Sequence, residues 1–176
     1  MAYHIPHLAI DSSVSSSRAL FASAGLIASI VFTATAVACD DDNDIITPTT
    51  TTFATTLSGA NEVPAKAVAG TGTASIVKNG ATYTYTITYS GMTGALTGAH
   101  IHGPAAVGVN TVVIVPFDAT GAGASGTLTG TFTGTNNPAI TPDSLDKLMT
   151  SGNAYVNLHT ATNGGGEIRG QLSKQP

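Results

Sequence analysis

Residues 81–89 show the clearest alternation of polar and apolar positions in the chain. They read ATYTYTITY, with Thr at every second position. The large side chains between the threonines are Tyr83, Tyr85, Ile87 and Tyr89. Period-two alternation of β-branched and aromatic residues is typical of a β-strand with one face buried, so we predict a strand whose tyrosine face packs in the core. Asn79-Gly80 separates it from another strand-like run at residues 70–77, which predicts a hairpin turn at Asn79 and Gly80.

Further strand-like segments follow, separated by Gly, Pro and Asn. They are residues 96–102, 111–117, 126–134, 154–159 and 167–172. One helix is predicted at residues 142–149, because Thr141 suits the N-cap, Pro142 suits the first helical position and Gly152 suits the end. The pattern predicts an all-β fold, an antiparallel, Greek-key-like sandwich or flattened barrel of about eight strands with one short crossover helix.

The first forty residues read as a targeting segment rather than as part of this fold. After Arg18 the chain has twenty uncharged residues, ALFASAGLIASIVFTATAVA, which end at Cys39. We predict a signal peptide of the lipoprotein type at residues 1–38, with Cys39 as the lipidation site. Two alternatives stay open: cleavage after Ala38 by an ordinary signal peptidase, giving a secreted protein, and a retained membrane helix, since about 20 apolar residues span a bilayer.

The segment after the cysteine predicts a tether that leads into one domain. Residues 39–52 are acidic and then Thr-rich, with few large apolar side chains, so we predict a flexible tether. The folded domain is predicted at residues 53–174. A lipid on Cys39 would then hold this domain at a membrane, in the periplasm or on the cell surface.

Charge and cysteine content exclude several classes of function. Only 9% of residues are charged and the formal net charge is −4, so the chain lacks the clustered basic face of a nucleic-acid binder. A single cysteine forms neither an intrachain disulfide nor a cysteine-rich zinc site. No Gly-x-Ser-x-Gly motif and no other nucleophile constellation is present, so the residues favour a non-enzymatic protein while leaving catalysis undecided.

Three histidines are the candidate metal ligands of the predicted domain. His100 and His102 are two residues apart in a predicted strand, so their side chains point to the same face. His159 ends another predicted strand, and if the two strands are neighbours the three imidazoles converge. Three imidazoles suit copper or zinc, with copper slightly favoured and a position left open for another ligand. The alternative is that these histidines pin loops to the sheet through hydrogen bonds.

Glu167 and Arg169 form a second candidate pair. They are two residues apart in the last predicted strand, and Arg169 is the only arginine after the leader. The first interpretation is a structural ion pair between them. The alternative is that Glu167 orients one of the histidines, as carboxylates commonly do at metal sites.

Several motifs together resemble the chordin-type (CHRD) domain. They are residues 53–64 (FATTLSGANEVP), 70–74 (GTGTA), 98–104 (GAHIHGP), 155–160 (YVNLHT) and 165–170 (GGEIRG). The resemblance covers residues 52–173, and it implies a β-sandwich in an extracellular setting. A weaker resemblance, to copper–zinc superoxide dismutases, rests on the order of His100, His102, His159 and Arg169. That family needs further metal ligands that the predicted domain lacks, so dismutation is the least favoured activity.

The sequence therefore predicts an extracytoplasmic protein tethered to a membrane by lipid. Its expected role is that of a non-enzymatic binding or structural module at the cell envelope, with an extracellular or periplasmic partner of unknown identity. Copper and zinc are the candidate cofactors, and neither is certain from the sequence. The alternative is a copper- or zinc-binding protein that uses the three histidines.

Overall fold

The computed structural model describes residues 49–176. The predicted signal peptide, the lipidation site at Cys39 and most of the predicted tether lie outside the described residues. The three interpretations of the leader are therefore still predictions. The first strand begins at Thr50, so the last three residues of segment 39–52 belong to the folded domain.

The domain consists of nine strands and one α-helix. In chain order they are β1 (Thr50–Ser58), β2 (Thr71–Asn79), β3 (Thr82–Ser90), β4 (Leu96–His102), β5 (Val113–Phe117), β6 (Gly126–Phe132), α1 (Pro142–Thr150), β7 (Tyr155–Thr160), β8 (Ile168–Gln171) and β9 (Ser173–Lys174). A short 3-10 turn, Gly59–Asn61, follows β1. The all-β prediction is confirmed, including the single helix.

The strands form one antiparallel sheet that curls almost into a closed barrel. Its order is β5-β4-β7-β8-β1-β2-β3-β6, and the short β9 pairs with β1. The two edges of this order approach each other, since the backbone N–H of Asn136, after β6, donates to the carbonyl of Ile114 on β5 at 2.8 Å. Chain neighbours are not always sheet neighbours: β4 pairs with β7, and this pairing builds the candidate site.

The tyrosine face of β3 is inside the barrel, as predicted. Tyr83, Tyr85 and Tyr89 are all buried, and the Tyr85 ring lies 4.4 Å from that of Phe117 on β5. Burial of such large apolar surfaces is the main stabilising contribution to a domain of this size.

The hairpin between β2 and β3 is confirmed, but its turn lies one residue later than predicted. Asn79 pairs with Thr82, so the two turn residues are Gly80 and Ala81. Gly80 takes a φ of 58°, a conformation that glycine adopts without steric cost. Asn79 belongs to β2 because its backbone continues the pairing of β2 with β3.

The helix α1 carries the chain from the edge strand β6 to the central strand β7. It begins as predicted, with the Thr141 hydroxyl accepting a hydrogen bond from the Ser144 N–H at 3.2 Å. Leu145 and Met149 are buried against the core. Beside this buried face, Asp146 accepts a hydrogen bond from the Tyr83 hydroxyl at 2.6 Å. Within residues 49–176, no helix is long and apolar enough to cross a membrane.

Candidate metal centre

The adjacent strands β4, β7 and β8 have two differently used faces. Their inward side chains belong to the hydrophobic core: Ala99, Ile101, Val156, Leu158 and Ile168. Because side chains alternate along a strand, the residues between them lie on the opposite face. That outer face carries His100, His102, Tyr155, Asn157, His159 and Arg169.

The register of β4 against β7 brings the three histidines together. Gly98 is paired with His159, and His102 is paired with Tyr155. The ring centroids of His100 and His159 are 5.0 Å apart, and those of His102 and His159 are 5.9 Å apart. One nitrogen from each ring lies within 4.8 Å of the others. The structure thus shows the strand adjacency on which the predicted convergence depended.

Hydrogen bonds fix the proton positions on two of the three rings. His102 Nδ1 lies 2.9 Å from the carbonyl oxygen of Thr111, and His159 Nδ1 lies 3.0 Å from that of Gly164. A carbonyl oxygen only accepts, so each Nδ1 must carry the hydrogen. The Nε2 atom of each neutral ring is therefore left with a free lone pair. A metal-binding histidine is usually held in the same way, through its second nitrogen.

Each ring of the cluster has one buried nitrogen without a hydrogen-bond partner. These nitrogens are His102 Nε2, His159 Nε2 and His100 Nδ1. Buried polar atoms are nearly always paired, because leaving one unpaired costs about 1–3 kcal/mol. Three such atoms, all within one cluster, need a common explanation, and a metal ion supplies one.

Burial keeps the imidazoles neutral at ordinary pH. It lowers the pKa of His100 to about 4, helped by the neighbouring His159 and His102. Burial is also the main reason why the pKa values of His102 and His159 are lowered. A neutral imidazole is the form that binds a metal. Copper or zinc bonded to nitrogen at about 2.0–2.1 Å would need these rings to close by roughly an ångström.

A missing side chain makes room for the His100 ring. A Cβ atom placed on Gly98 would lie 2.8 Å from His100 Cε1, closer than real Cβ contacts come. The His100 ring therefore lies over Gly98 and points toward His159. His159 is the residue of β7 that is paired with Gly98. Gly98 begins the sequence GAHIH. Its role could not be predicted from that sequence, because the role depends on the orientation of the His100 ring.

Tyr155 packs between His102 and Arg169. The His102 and Tyr155 rings are nearly parallel, 3° apart, with centroids separated by 4.8 Å. Arg169 Cζ lies 3.4 Å from the Tyr155 ring centroid. His102 is on β4 and Arg169 is on β8, on either side of β7, so they cover opposite faces of the tyrosine ring. The sequence did not assign Tyr155 or Thr111 to the site, because only the strand register and the path of a loop bring them to His102.

The predicted ion pair between Glu167 and Arg169 is not formed. The only ion pair found within residues 49–176 joins Lys78 and Asp146. Arg169 donates instead to Asn110 Oδ1 at 2.9 Å and to the carbonyl of Val109 at 2.8 Å. The two side chains diverge because Glu167 precedes β8, whereas Arg169 lies within it.

Glu167 is a buried carboxylate with its own hydrogen-bond donors. It accepts from the backbone N–H of Thr93 at 2.7 Å and from Asn163 Nδ2 at 3.0 Å, and also from the Thr93 and Thr160 hydroxyls. Burial alone would raise its pKa, but these hydrogen bonds outweigh it and lower the pKa. None of these partners is a histidine. Through these hydrogen bonds, Glu167 holds the segment around Thr93 against residues 160–167.

Glu62 is a second buried acid, and no pattern in the sequence pointed to it. It is 6% exposed, and its Oε1 has no partner. Burial raises its pKa to about 6, although the positive charges of Arg169 and Lys66 oppose the rise. A cavity of about 440 Å³ lies beside Glu62 and Arg169. Glu62 thus belongs to the Arg169 side of the outer face and not to the histidine cluster.

The fold and the site define an all-β module with one cluster of three imidazoles on its outer face. Comparison with family models matches the CHRD domain over residues 53–172, and the chain belongs to this family. The resemblance found in the sequence is thereby confirmed. Comparisons with curated proteins and with solved structures find no match.

Proposed function

We propose that this CHRD-domain protein is a non-enzymatic metal-binding module at the cell envelope, which holds one copper or zinc ion through His100, His102 and His159. The observation that carries the proposal is the convergence of three imidazoles: one nitrogen from each ring lies within 4.8 Å of the others, and each ring has a buried nitrogen without a hydrogen-bond partner. Each neutral nitrogen offers a lone pair, which is what a transition metal binds.

The competing structural role accounts for only part of this geometry. Histidines that pin loops would use their hydrogen-bonding nitrogens, and His102 and His159 each do so once. The remaining nitrogen of each ring is nevertheless buried beside the others instead of facing solvent or a donor. Loop anchoring does not require that arrangement, whereas ion binding does.

A binding role is favoured over catalysis by the composition of the cluster. In the part of the chain that the structure describes, the one group of three or more candidate ligands contains histidines alone. A dismutase-like centre would need an additional histidine and a second ion site. A three-histidine site on a small domain suits storage or transfer of an ion between partner proteins.

The location of the module is proposed from the leader sequence. Cys39 follows an uncharged segment of twenty residues, and residues 39–49 precede the first strand. A lipid on Cys39 would hold the domain at a membrane surface, where it could exchange metal with an extracellular or periplasmic partner. Mass spectrometry of the mature N-terminus tests this: an acylated Cys39 supports anchoring, whereas an unmodified chain starting at Cys39 shows ordinary secretion.

The metal proposal is tested by titrating the full chain with Cu and Zn ions. Cys39→Ser, His4→Ala and His7→Ala are introduced together, because these side chains also bind metals; we call this triple variant the background protein. It should bind about one equivalent, and His102→Ala or His159→Ala in the same background should weaken binding at least tenfold. Equal binding by the background protein and both histidine variants would overturn the proposal.

A further inference from the structure

The candidate ligands contribute no negative charge to the ion. In the described part of the chain the cluster consists of three imidazoles without a carboxylate or a thiolate. The second nitrogens of His102 and His159 donate to backbone carbonyls, which are neutral as well. Glu167 is occupied by Thr93, Thr160 and Asn163. The bound ion would therefore keep its full formal charge in a partly buried position.

A buried cation lies next to this uncharged ligand set. Arg169 is 2% exposed, and the groups that accept its hydrogen bonds, Asn110 Oδ1 and the Val109 carbonyl, are neutral. Glu62 lines the same cavity and is attracted to Arg169, but the two side chains do not form an ion pair. The positive charge of Arg169 is therefore incompletely compensated.

Tyr155 sets the distance across which this charge acts. Arg169 Cζ lies 3.4 Å from the ring centroid of Tyr155, and the His102 centroid lies 4.8 Å from it on the other face. The guanidinium carbon is thus within roughly 8 Å of the His102 ring centre, with an aromatic ring instead of water between them.

Charge discrimination follows from Coulomb's law. A nearby positive charge opposes a divalent ion twice as strongly as a monovalent ion at the same point. Neutral ligands do nothing to offset this difference. We propose that the three-histidine site selects monovalent copper over divalent copper and zinc, and that the buried charge of Arg169, held behind Tyr155, sets this preference.

This inference rests on the proposed metal-binding function and names the ion that the site takes. Arg169 touches none of the candidate ligand atoms, so it is a positioning and charge-setting residue and not a ligand. Removing its charge should change the ratio of Cu(I) to Cu(II) affinity by about tenfold, given an effective dielectric constant of about 20. A tenfold change in that ratio equals about 59 mV in a one-electron potential.

The experiment compares the background protein with Arg169→Met and Arg169→Lys made in it. Dissociation constants for Cu(I), Cu(II) and Zn(II) are measured by competition with chromophoric chelators, with Cu(I) handled without oxygen. The background protein should bind Cu(I) most tightly. Arg169→Met should move the Cu(I)/Cu(II) ratio about tenfold toward Cu(II) and strengthen Zn(II) binding, whereas Arg169→Lys should preserve the ratio.

The Lys variant separates charge from packing. It loses the two-pronged hydrogen bonding of arginine but keeps the positive charge. Equal changes in the ratio for Arg169→Met and Arg169→Lys would show a purely structural role and overturn the inference. A background protein that binds Zn(II) more tightly than Cu(I) would also overturn it.

A second pair of variants covers the case in which Arg169→Met does not fold. Asn110→Asp places a negative charge against the Arg169 guanidinium, and Asn110→Ala removes the same hydrogen bond without adding charge. Only Asn110→Asp should move the ratio toward Cu(II). If no ion binds to the background protein, the proposed function itself fails. If ions bind but neither charge-changing variant moves the ratio, only the present inference fails.

Discussion

His102 on β4 and Tyr155 on β7 stack with their ring planes 3° from parallel and their centroids 4.8 Å apart. The same two residues share Thr111, whose carbonyl accepts from His102 Nδ1 and whose N–H donates to the Tyr155 hydroxyl at 3.3 Å. Stacking fixes the plane of the imidazole, and the hydrogen bond fixes its rotation within that plane. His102 Nε2 is therefore oriented before any ion arrives, which reduces the entropy lost on binding.

Replacing Tyr155 tests this orientation. Tyr155→Phe keeps the ring and loses only the hydroxyl, so metal affinity should change by less than about threefold. Tyr155→Leu removes the aromatic face and should weaken binding by about tenfold, a typical effect of residues that support metal ligands. Isothermal titration of both variants with Cu or Zn makes the comparison. Equal affinities for the two variants would contradict a role for stacking.

Gly98→Ala should weaken metal binding without harming the fold. The added Cβ would lie 2.8 Å from His100 Cε1, so the ring must turn away and its ligand nitrogen must leave the cluster. We expect a loss of affinity of about tenfold. The free energy of unfolding should be unchanged or slightly higher, because alanine loses less backbone entropy than glycine in a strand. Titration with metal and urea unfolding measure the two quantities.

Gly94→Ala is the matched control for this substitution. No atom lies within 4 Å of a Cβ placed on Gly94. This variant should bind metal like the unsubstituted protein. If Gly98→Ala and Gly94→Ala bind equally well, the open space over Gly98 has no part in ligand placement.

Glu167→Ala should cost stability rather than metal affinity. The buried carboxylate accepts hydrogen bonds from Thr93, Thr160 and Asn163, and its removal leaves several donors unpaired. We expect the free energy of unfolding to fall by about 3 kcal/mol, measured with urea. Metal affinity under folding conditions should stay within about threefold. Lost affinity with unchanged stability would instead show that Glu167 orients a histidine.

Glu62→Gln should change the pH dependence of stability. The pKa of Glu62 is raised from 4.5 to about 6 in the folded protein, chiefly by burial. A carboxyl group with a raised folded pKa favours folding fully at pH values below its unfolded pKa, and this contribution is lost as the pH rises through the folded pKa. Glutamine does not ionise, so the variant does not lose this stability as the pH rises. Its stability relative to the metal-free parent should therefore increase by about 2 kcal/mol between about pH 4.5 and pH 7.

The comparison of the two proteins at each pH also serves as the control, since both contain the same titrating histidines. Urea unfolding at several pH values in that interval provides the data. A stability difference that does not vary with pH would mean that Glu62 titrates as an exposed carboxyl group does.

Local patterns predicted much of the fold. The alternation on β3 and the capping residues of α1 reflect the conformational preferences of a few neighbouring residues. Both elements are present in the structure. The hairpin turn shifted by one residue because the pairing of Asn79 with Thr82 continues the ladder. The order of strands in the sheet could not be predicted, since it depends on packing between distant segments.

The candidate site, too, could be predicted only in part from the sequence. The shared face of His100 and His102 follows from their spacing on one strand, whereas their proximity to His159 required β4 and β7 to be neighbours. The supports of the cluster, Tyr155 and Thr111, depend on register and on the path of a loop. The predicted pairing of Glu167 with Arg169 was wrong because it assumed that both residues lie in one regular strand, whereas β8 begins at Ile168.

The most direct test of the three-histidine centre is X-ray absorption spectroscopy of the copper- or zinc-loaded background protein, which lacks Cys39, His4 and His7. The proposed centre predicts three imidazole nitrogens at about 2.0–2.1 Å, with the imidazole scattering reduced in His159→Ala. A first shell with fewer than two imidazoles, or one that His159→Ala leaves unchanged, would contradict it.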